Sequence, residues 1–127
     1  MTKLEIIPLE GIPEISPGDD LVEIIGQLNN IQSGDILVVT QKIISKAENQ
    51  MIDIDPNDPL SHKPLVERES VRILRRRGDL IISQTKHGFV CANAGIDLSN
   101  VKRGQAALLP DDSDRSARRL RDGLAGR

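Results

Sequence analysis

The chain is almost without aromatic residues: Phe89 is the only one, and Trp and Tyr are absent. Proteins that grip single-stranded nucleic acid stack bases on several rings, so the sequence argues against that class. The formal net charge of −2 supplies no field that would draw the chain to nucleic acid or to an anionic membrane. Cysteine is nearly absent as well. Cys91 stands alone, which excludes an internal disulfide and a cysteine-based zinc site. It lies in the apolar run Phe89–Ala92 and reads as a small hydrophobe rather than a nucleophile. No apolar run approaches the roughly 20 residues of a membrane span. The polar start of the chain lacks the pattern of a signal peptide, so a cytoplasmic protein is expected. Neither the Walker A pattern nor G-x-G-x-x-G occurs, so any nucleotide must be held in another way.

What remains is enough for one globular domain. Apolar residues make up 38% and charged residues 28% of 127 positions, with a core of Ile, Leu and Val. The pattern predicts a strand over Lys3–Pro8, then a loop punctuated by Gly11, Pro13, Pro17 and Gly18. Asp20 followed by Glu23 resembles a capping box, and Leu21, Ile24, Ile25 and Leu28 form one helical stripe. Ile36–Val39 reads as a strand buried on both faces, and Met51–Ile54 as a short strand. Pro64 suits the first turn of a helix running to about Arg77. Glu67 and Glu69 would sit near its start, and Arg75, Arg76 and Arg77 at its end, where they complement the dipole. Leu80–Ser83 and Phe89–Ala92 read as paired strands, and Ala106–Leu109 as another short strand. A last amphipathic helix carries Ala117, Leu120 and Leu124. This interleaving predicts an α+β (mixed α/β) fold with a single domain over 1–127.

Several motifs carry a bland reading beside a chemical one. Asp53–Asp58 suggests a calcium loop but has Asp58 where the EF-hand turn needs Gly, and Pro64 where the bidentate Glu belongs; it reads as a solvated loop. His62 lies in a proline-rich loop and reads as solvated. His87 reads as a structural donor before a general base. Thr40–Lys46 follows the expected buried strand, at the kind of strand end where ligands sit. Lys42 and Lys46 there could hold phosphate oxygens, although a polar connection with solvated lysines explains the segment equally simply. In Asn93–Asn100, Asp97 is a hard oxygen ligand suited to Mg²⁺ or Mn²⁺. One carboxylate is not a metal site, and an Asx-turn loop is the competing reading.

Taken in order, four blocks resemble the coenzyme F420:L-glutamate ligase family. They are Ile7–Pro13 with Pro17–Leu21, Gly34–Glu48, His87–Val101, and the segment with Leu108-Leu109-Pro110, Asp112, Ser116-Ala117 and Leu120-Arg121. The resemblance implies an α+β protein that forms an intertwined homodimer. It implies a GTP-dependent reaction that activates a carboxylate of a deazaflavin F420 precursor and joins it to L-glutamate. The implied ion is Mg²⁺ or Mn²⁺, with K⁺ assisting. The family pattern puts GTP contacts on Ile12, Pro13, Glu14, Ile15, Gln41, Lys42, Lys46 and Asn100, and a metal ligand on Asp97.

Three departures qualify this. Asn49 stands where the family has Gly, at a turn that Asn tolerates. The stretch between Met51 and Val71 is short. The resemblance covers the N-terminal half of the family's ligase domain, and the C-terminal half, with an Asp-Thr pair and a Gln as further metal ligands, is absent from this chain. The competing expectation is therefore a catalytically incomplete nucleotide-binding module that needs a second chain.

Overall fold

The computed structural model describes residues 2–99 and 101–127. Four helices, α1 (Leu21–Gly26), α2 (Gln41–Ala47), α3 (Lys63–Glu69) and α4 (Ser113–Leu124), interleave with five strands: β1 (Met51–Asp53), β2 (Ser70–Arg77), β3 (Leu80–Thr85), β4 (Val90–Ala92) and β5 (Gln105–Ala107). The strands form two antiparallel sheets, β1-β5 and β2-β3-β4, so the fold is α+β as expected.

Two apolar clusters organise the chain. Ile15, Leu21, Ile25, Ile44 and Leu120 join α1, α2 and α4. Val66, Ile81, Ala94, Ile96, Ala106 and Leu108 join α3 to both sheets. Each fully buried aliphatic side chain is worth about 1.5–3 kcal/mol. Polar bonds tie the clusters together. Ser45 is fully buried on α2, and its hydroxyl donates to the Leu108 carbonyl at 2.5 Å. The Gln41 amide reaches Ser45 Oγ at 2.6 Å and the same carbonyl at 3.1 Å. A buried hydroxyl left without such a partner would cost about 1–3 kcal/mol.

The Asp20 carboxylate caps α1, accepting from the Val22 and Glu23 amides. The reciprocal half of the expected box does not form, because the Glu23 side chain turns to Gln27 and Arg127. Asp112 caps α4, whose Leu120 is buried in the first cluster against α1. Asn49 takes the left-handed backbone its position requires (φ 56°). The β3–β4 pair and the short β1 and β5 strands fall close to where the pattern puts them.

Four expectations fail. Lys3–Pro8 forms no strand, and Leu4 and Ile6 are exposed at 86% and 87%. Ile36–Val39 is also not a strand. Ile36 and Val38 point to solvent at 91% and 88%, while Leu37 and Val39 pack on the first cluster. Both segments have strand-like composition, but neither is paired with another segment, and strand propensity counts only where there is a neighbour to pack against. The helix from Pro64 ends at Glu69 rather than Arg77. Ser70 turns into extended backbone (φ −98°, ψ 130°), its hydroxyl meets Val66 O and Ser83 Oγ, and residues 70–77 pair with β3. Val71 and Ile73 are β-branched and suit that strand. The arginine triplet therefore does not cap a helix. Finally, His62 is buried at 8% exposure, not solvated, because it precedes α3 within the fold rather than projecting from a loop.

A lysine–carboxylate cluster as the candidate functional site

The candidate site is built where α2 faces the loop after the 3-10 turn Asn93–Gly95. Asp97 is fixed first by its backbone, which exchanges two hydrogen bonds with Ala107: Asp97 N–H to Ala107 O (3.0 Å) and Ala107 N–H to Asp97 O (2.8 Å). This bridge holds the carboxylate beside β5. The Ser99 amide and hydroxyl both donate to Oδ1 at 2.8 Å, an Asx-turn geometry. The Lys42 ammonium sits 2.7 Å from Oδ2 and also donates to the Ser99 carbonyl (2.5 Å) and hydroxyl (2.9 Å). Burial pushes the Asp97 carboxyl pKa up. The Lys42 ammonium and the two Ser99 donors more than offset that and bring it down to about 2.

One turn further along α2, the Lys46 ammonium is paired with the Glu14 carboxylate. The Lys46 side chain is largely covered, at 13% exposure, whereas Glu14 is 81% exposed. Positions i and i+4 of a helix share one face, so the two lysines stand together and each is neutralised by an acid from another segment. Glu14 is the solvent-facing partner of this half-covered pair, and so the one free to move away from it.

The other expected residues are placed unevenly. Pro13 and Glu14 are exposed beside this cluster's approach. Ile12 is half-buried and Ile15 is 5% exposed in the first apolar cluster, so the Ile15 side chain faces the core. The Gln41 amide nitrogen is occupied by Ser45 and Leu108. Asn100 lies outside the described residues. Ser99 was not singled out from sequence, although its place two residues after Asp97 is the Asx-turn signal. A groove of about 1030 Å³ lined by Leu37, Val39, Ile44, Phe89, Pro110 and Leu120 among others includes Gln41 but not Lys42 or Lys46. Its walls are mainly apolar but include Asp35, Arg118, Arg121 and Arg127, and Lys42, Lys46 and Asp97 lie apart from them.

The residues fit a divalent cation only in part. Among the described residues no three His, Cys, Asp or Glu side chains converge. Both Asp97 oxygens are already engaged, one by Ser99 and one by Lys42. Asp97 can offer one carboxylate to Mg²⁺ or Mn²⁺, and the remaining ligands would have to come from phosphate oxygens, water or other protein groups.

The chain is thus an α+β protein that carries two lysine–carboxylate pairs on one face of α2. Comparison with known proteins narrows this description. The family described as F420-0:Gamma-glutamyl ligase matches residues 11–127. The chain is 39% identical to the coenzyme F420:L-glutamate ligase of Methanopyrus kandleri, over 94% of this chain and 52% of that protein. It is 40% identical to the enzyme of that name from Methanothermobacter thermautotrophicus, over 92% and 54%, and 38% identical to that of Archaeoglobus fulgidus, over 94% and 53%. The chain belongs to the F420-0:gamma-glutamyl ligase family. It spans about half the length of these relatives. Among the described residues, no helix is long and apolar enough to cross a membrane.

Proposed function

We propose that this chain contributes the phosphate-binding half of a GTP-dependent ligase that joins L-glutamate to a deazaflavin F420 precursor in the cytoplasm. The observation that carries this reading is the pairing of Lys42 with Asp97 and of Lys46 with Glu14 on one face of α2. Two ammonium groups at this spacing suit neighbouring phosphates of a triphosphate. Asp97, ionised at any physiological pH, can share a divalent ion with those phosphates. When bound, that Mg²⁺ or Mn²⁺ supplies charge neutralisation of the triphosphate; K⁺ is an accessory in the same reading.

The chain's own residues then act in a simple order. Lys46 releases the exposed Glu14 and takes a phosphate oxygen. Lys42 remains near Asp97, held by Ser99, and meets a second phosphate. The peptide around Pro13 and Glu14 covers the nucleotide by backbone contact, with Ile12 and Ile15 anchoring it in the core. In this reading the other groups that ligation needs come from outside these 127 residues. The reading includes a homodimer, which would cover the exposed Leu4, Ile6, Ile36 and Val38.

Asp97 as the one carboxylate assigned to a metal ion favours a second reading, in which the chain binds nucleotide and catalyses nothing without a second polypeptide. Calorimetric titration of GTP with Mg²⁺ into the chain tests both. Saturable binding that Lys46→Met weakens by about tenfold or more supports the site, and its absence overturns it. Glutamate ligation by the chain alone would remove the second reading.

A further inference from the structure

Expected at the end of a helix, the arginines instead lie on a strand, and that strand is irregular in a specific way. β2 pairs with β3 as Arg72↔Gln84, Ile73↔Ser83, Arg75↔Ile82 and Arg77↔Leu80, with register shifts between Ser70 and Arg72 and between Ile73 and Arg75. Arg72 and Arg75 are three apart and would fall on opposite faces of a regular strand. The bulge at Leu74 returns them to the same face, a recognised use of bulges beside binding sites. Arg72, Arg75 and Arg77 thus stand opposite alternate residues of β3, about 6.5–7 Å apart along the strand. All three are exposed, and among the described residues none is in an ion pair or a side-chain hydrogen bond. Their neighbour Arg76 differs, being paired with Glu67 at 2.8 Å.

This face is uncovered and its middle is apolar. Gln84 pairs with Val90 and Ile82 with Ala92; Leu80 and Val90 are 42% and 56% exposed. Arg75, Arg77, Leu80 and Ile82 together line a hollow of about 200 Å³. A row of three unneutralised guanidinium groups flanking an apolar strip selects an elongated ligand with repeated anionic groups and a carbon backbone. Planar carboxylates match the guanidinium fork. A second copy of the same strand does not fit, because it would set arginine against arginine.

We propose that the outer face of the β2-β3-β4 sheet is a binding site for an extended oligocarboxylate, namely a γ-glutamyl chain. This assignment of ligand rests on the ligase reading above, while the site itself rests on the bulge, the register and the unpaired arginines. The experiment is fluorescence anisotropy of fluorescein-labelled tri-γ-glutamate titrated with the whole chain, without nucleotide or metal. The double variant Arg75→Gln/Arg77→Gln is expected to weaken binding at least tenfold. The pair Arg118→Gln/Arg119→Gln on α4, an equal change of charge, is expected to leave it unchanged. Equal losses in both pairs would mean diffuse attraction and overturn the proposal. So would absence of binding by the unaltered chain, or a change in its sedimentation mass caused by Arg75→Gln/Arg77→Gln, which would mark the face as a self-association surface. A chain that binds GTP but not the labelled trimer keeps the proposed function and loses this site. One that binds the trimer but not GTP does the reverse.

Discussion

Lys42 Nζ stands 2.7 Å from Asp97 Oδ2, and this contact ties α2 to the loop that enters β5. It is also what most strongly counters the effect of burial on the Asp97 carboxyl. Replacing Lys42 with Met should therefore raise the Asp97 pKa from about 2 toward the ordinary 3.8 or beyond, since burial would then act against the Ser99 donors alone. A carboxyl-detected NMR titration reads this directly. The sign for stability follows from the lowered pKa. The contribution is complete above the unfolded value near 3.8 and fades as pH falls toward 2, so Lys42→Met should shift acid unfolding to higher pH. An unmoved Asp97 pKa would show that the two groups are not coupled in solution.

Lys42→Met and Lys46→Met should each weaken GTP binding by about tenfold or more, because a hydrogen bond to a charged group contributes about 1.5–3 kcal/mol. Glu14→Gln should have the opposite sign. It removes the anion that competes for Lys46, so phosphate binding should strengthen modestly. Calorimetry on the three variants separates these cases, and a loss of affinity in Glu14→Gln would mean that Glu14 contacts the ligand's cation rather than competing with the ligand.

Packing makes a sharper distinction between two isoleucines that look alike in sequence. Ile25 is 2% exposed in the α1-α2-α4 cluster, whereas Ile36 is 91% exposed. Ile25→Ala should cost about 2–5 kcal/mol, and at a dilution that keeps the chain monomeric Ile36→Ala should stay within about 0.5 kcal/mol. Urea unfolding followed by circular dichroism suits a chain without Trp. A large cost at Ile36 would restore the buried strand that the run Ile36–Val39 suggests.

That contrast marks what the sequence makes legible. Local signals are readable where a residue suits its own backbone: Asp20 as a cap, Asn49 in a left-handed turn, the turn between β3 and β4. Lys42, Lys46 and Asp97 are brought together by the family resemblance, since by residue type and spacing alone they suit a solvated connection and an Asx turn. Long-range pairing is not legible. Nothing within Lys3–Pro8 or Ile36–Val39 says whether a neighbouring strand exists, and nothing within 64–77 says that residues after Glu69 will find β3. The arginine triplet fits a helix end and a strand edge equally well by composition, and only the register of β2 against β3 decides between them.

Gly123 tests how α4 docks. Within a helix, Ala is favoured over Gly by about 1 kcal/mol, so on propensity alone Gly123→Ala would stabilise. Here a Cβ would lie 2.6 Å from Val22 Cγ2 and 2.8 Å from Cγ1, closer than packed carbons allow. The substitution should instead destabilise by about 1–3 kcal/mol through overpacking. Val22→Ala in the same chain should recover much of that loss, a coupling that a double-mutant cycle measures. Simple additivity would mean that α4 does not pack on α1 through this contact.

His62 gives the chain a pH response separate from Asp97. The ring is 8% exposed, and its Nδ1 is buried without a hydrogen-bond partner among the described residues. Burial, then the neighbouring Lys63 ammonium, lowers its pKa below 6.5; a bond to the Pro59 backbone and the Asp58 carboxylate oppose this without reversing it. In the unfolded chain the ring takes up a proton near pH 6.5. In the folded chain it resists protonation to lower pH, so over that interval the unfolded state binds more protons. Stability is therefore complete above about 6.5 and falls as pH drops through the interval down to the folded value. Thermal midpoints measured between pH 7.5 and 5 should decline in the unaltered chain and decline less steeply in His62→Gln, whatever the absolute stability of that variant. Parallel slopes in the two proteins would assign the acid sensitivity to another group.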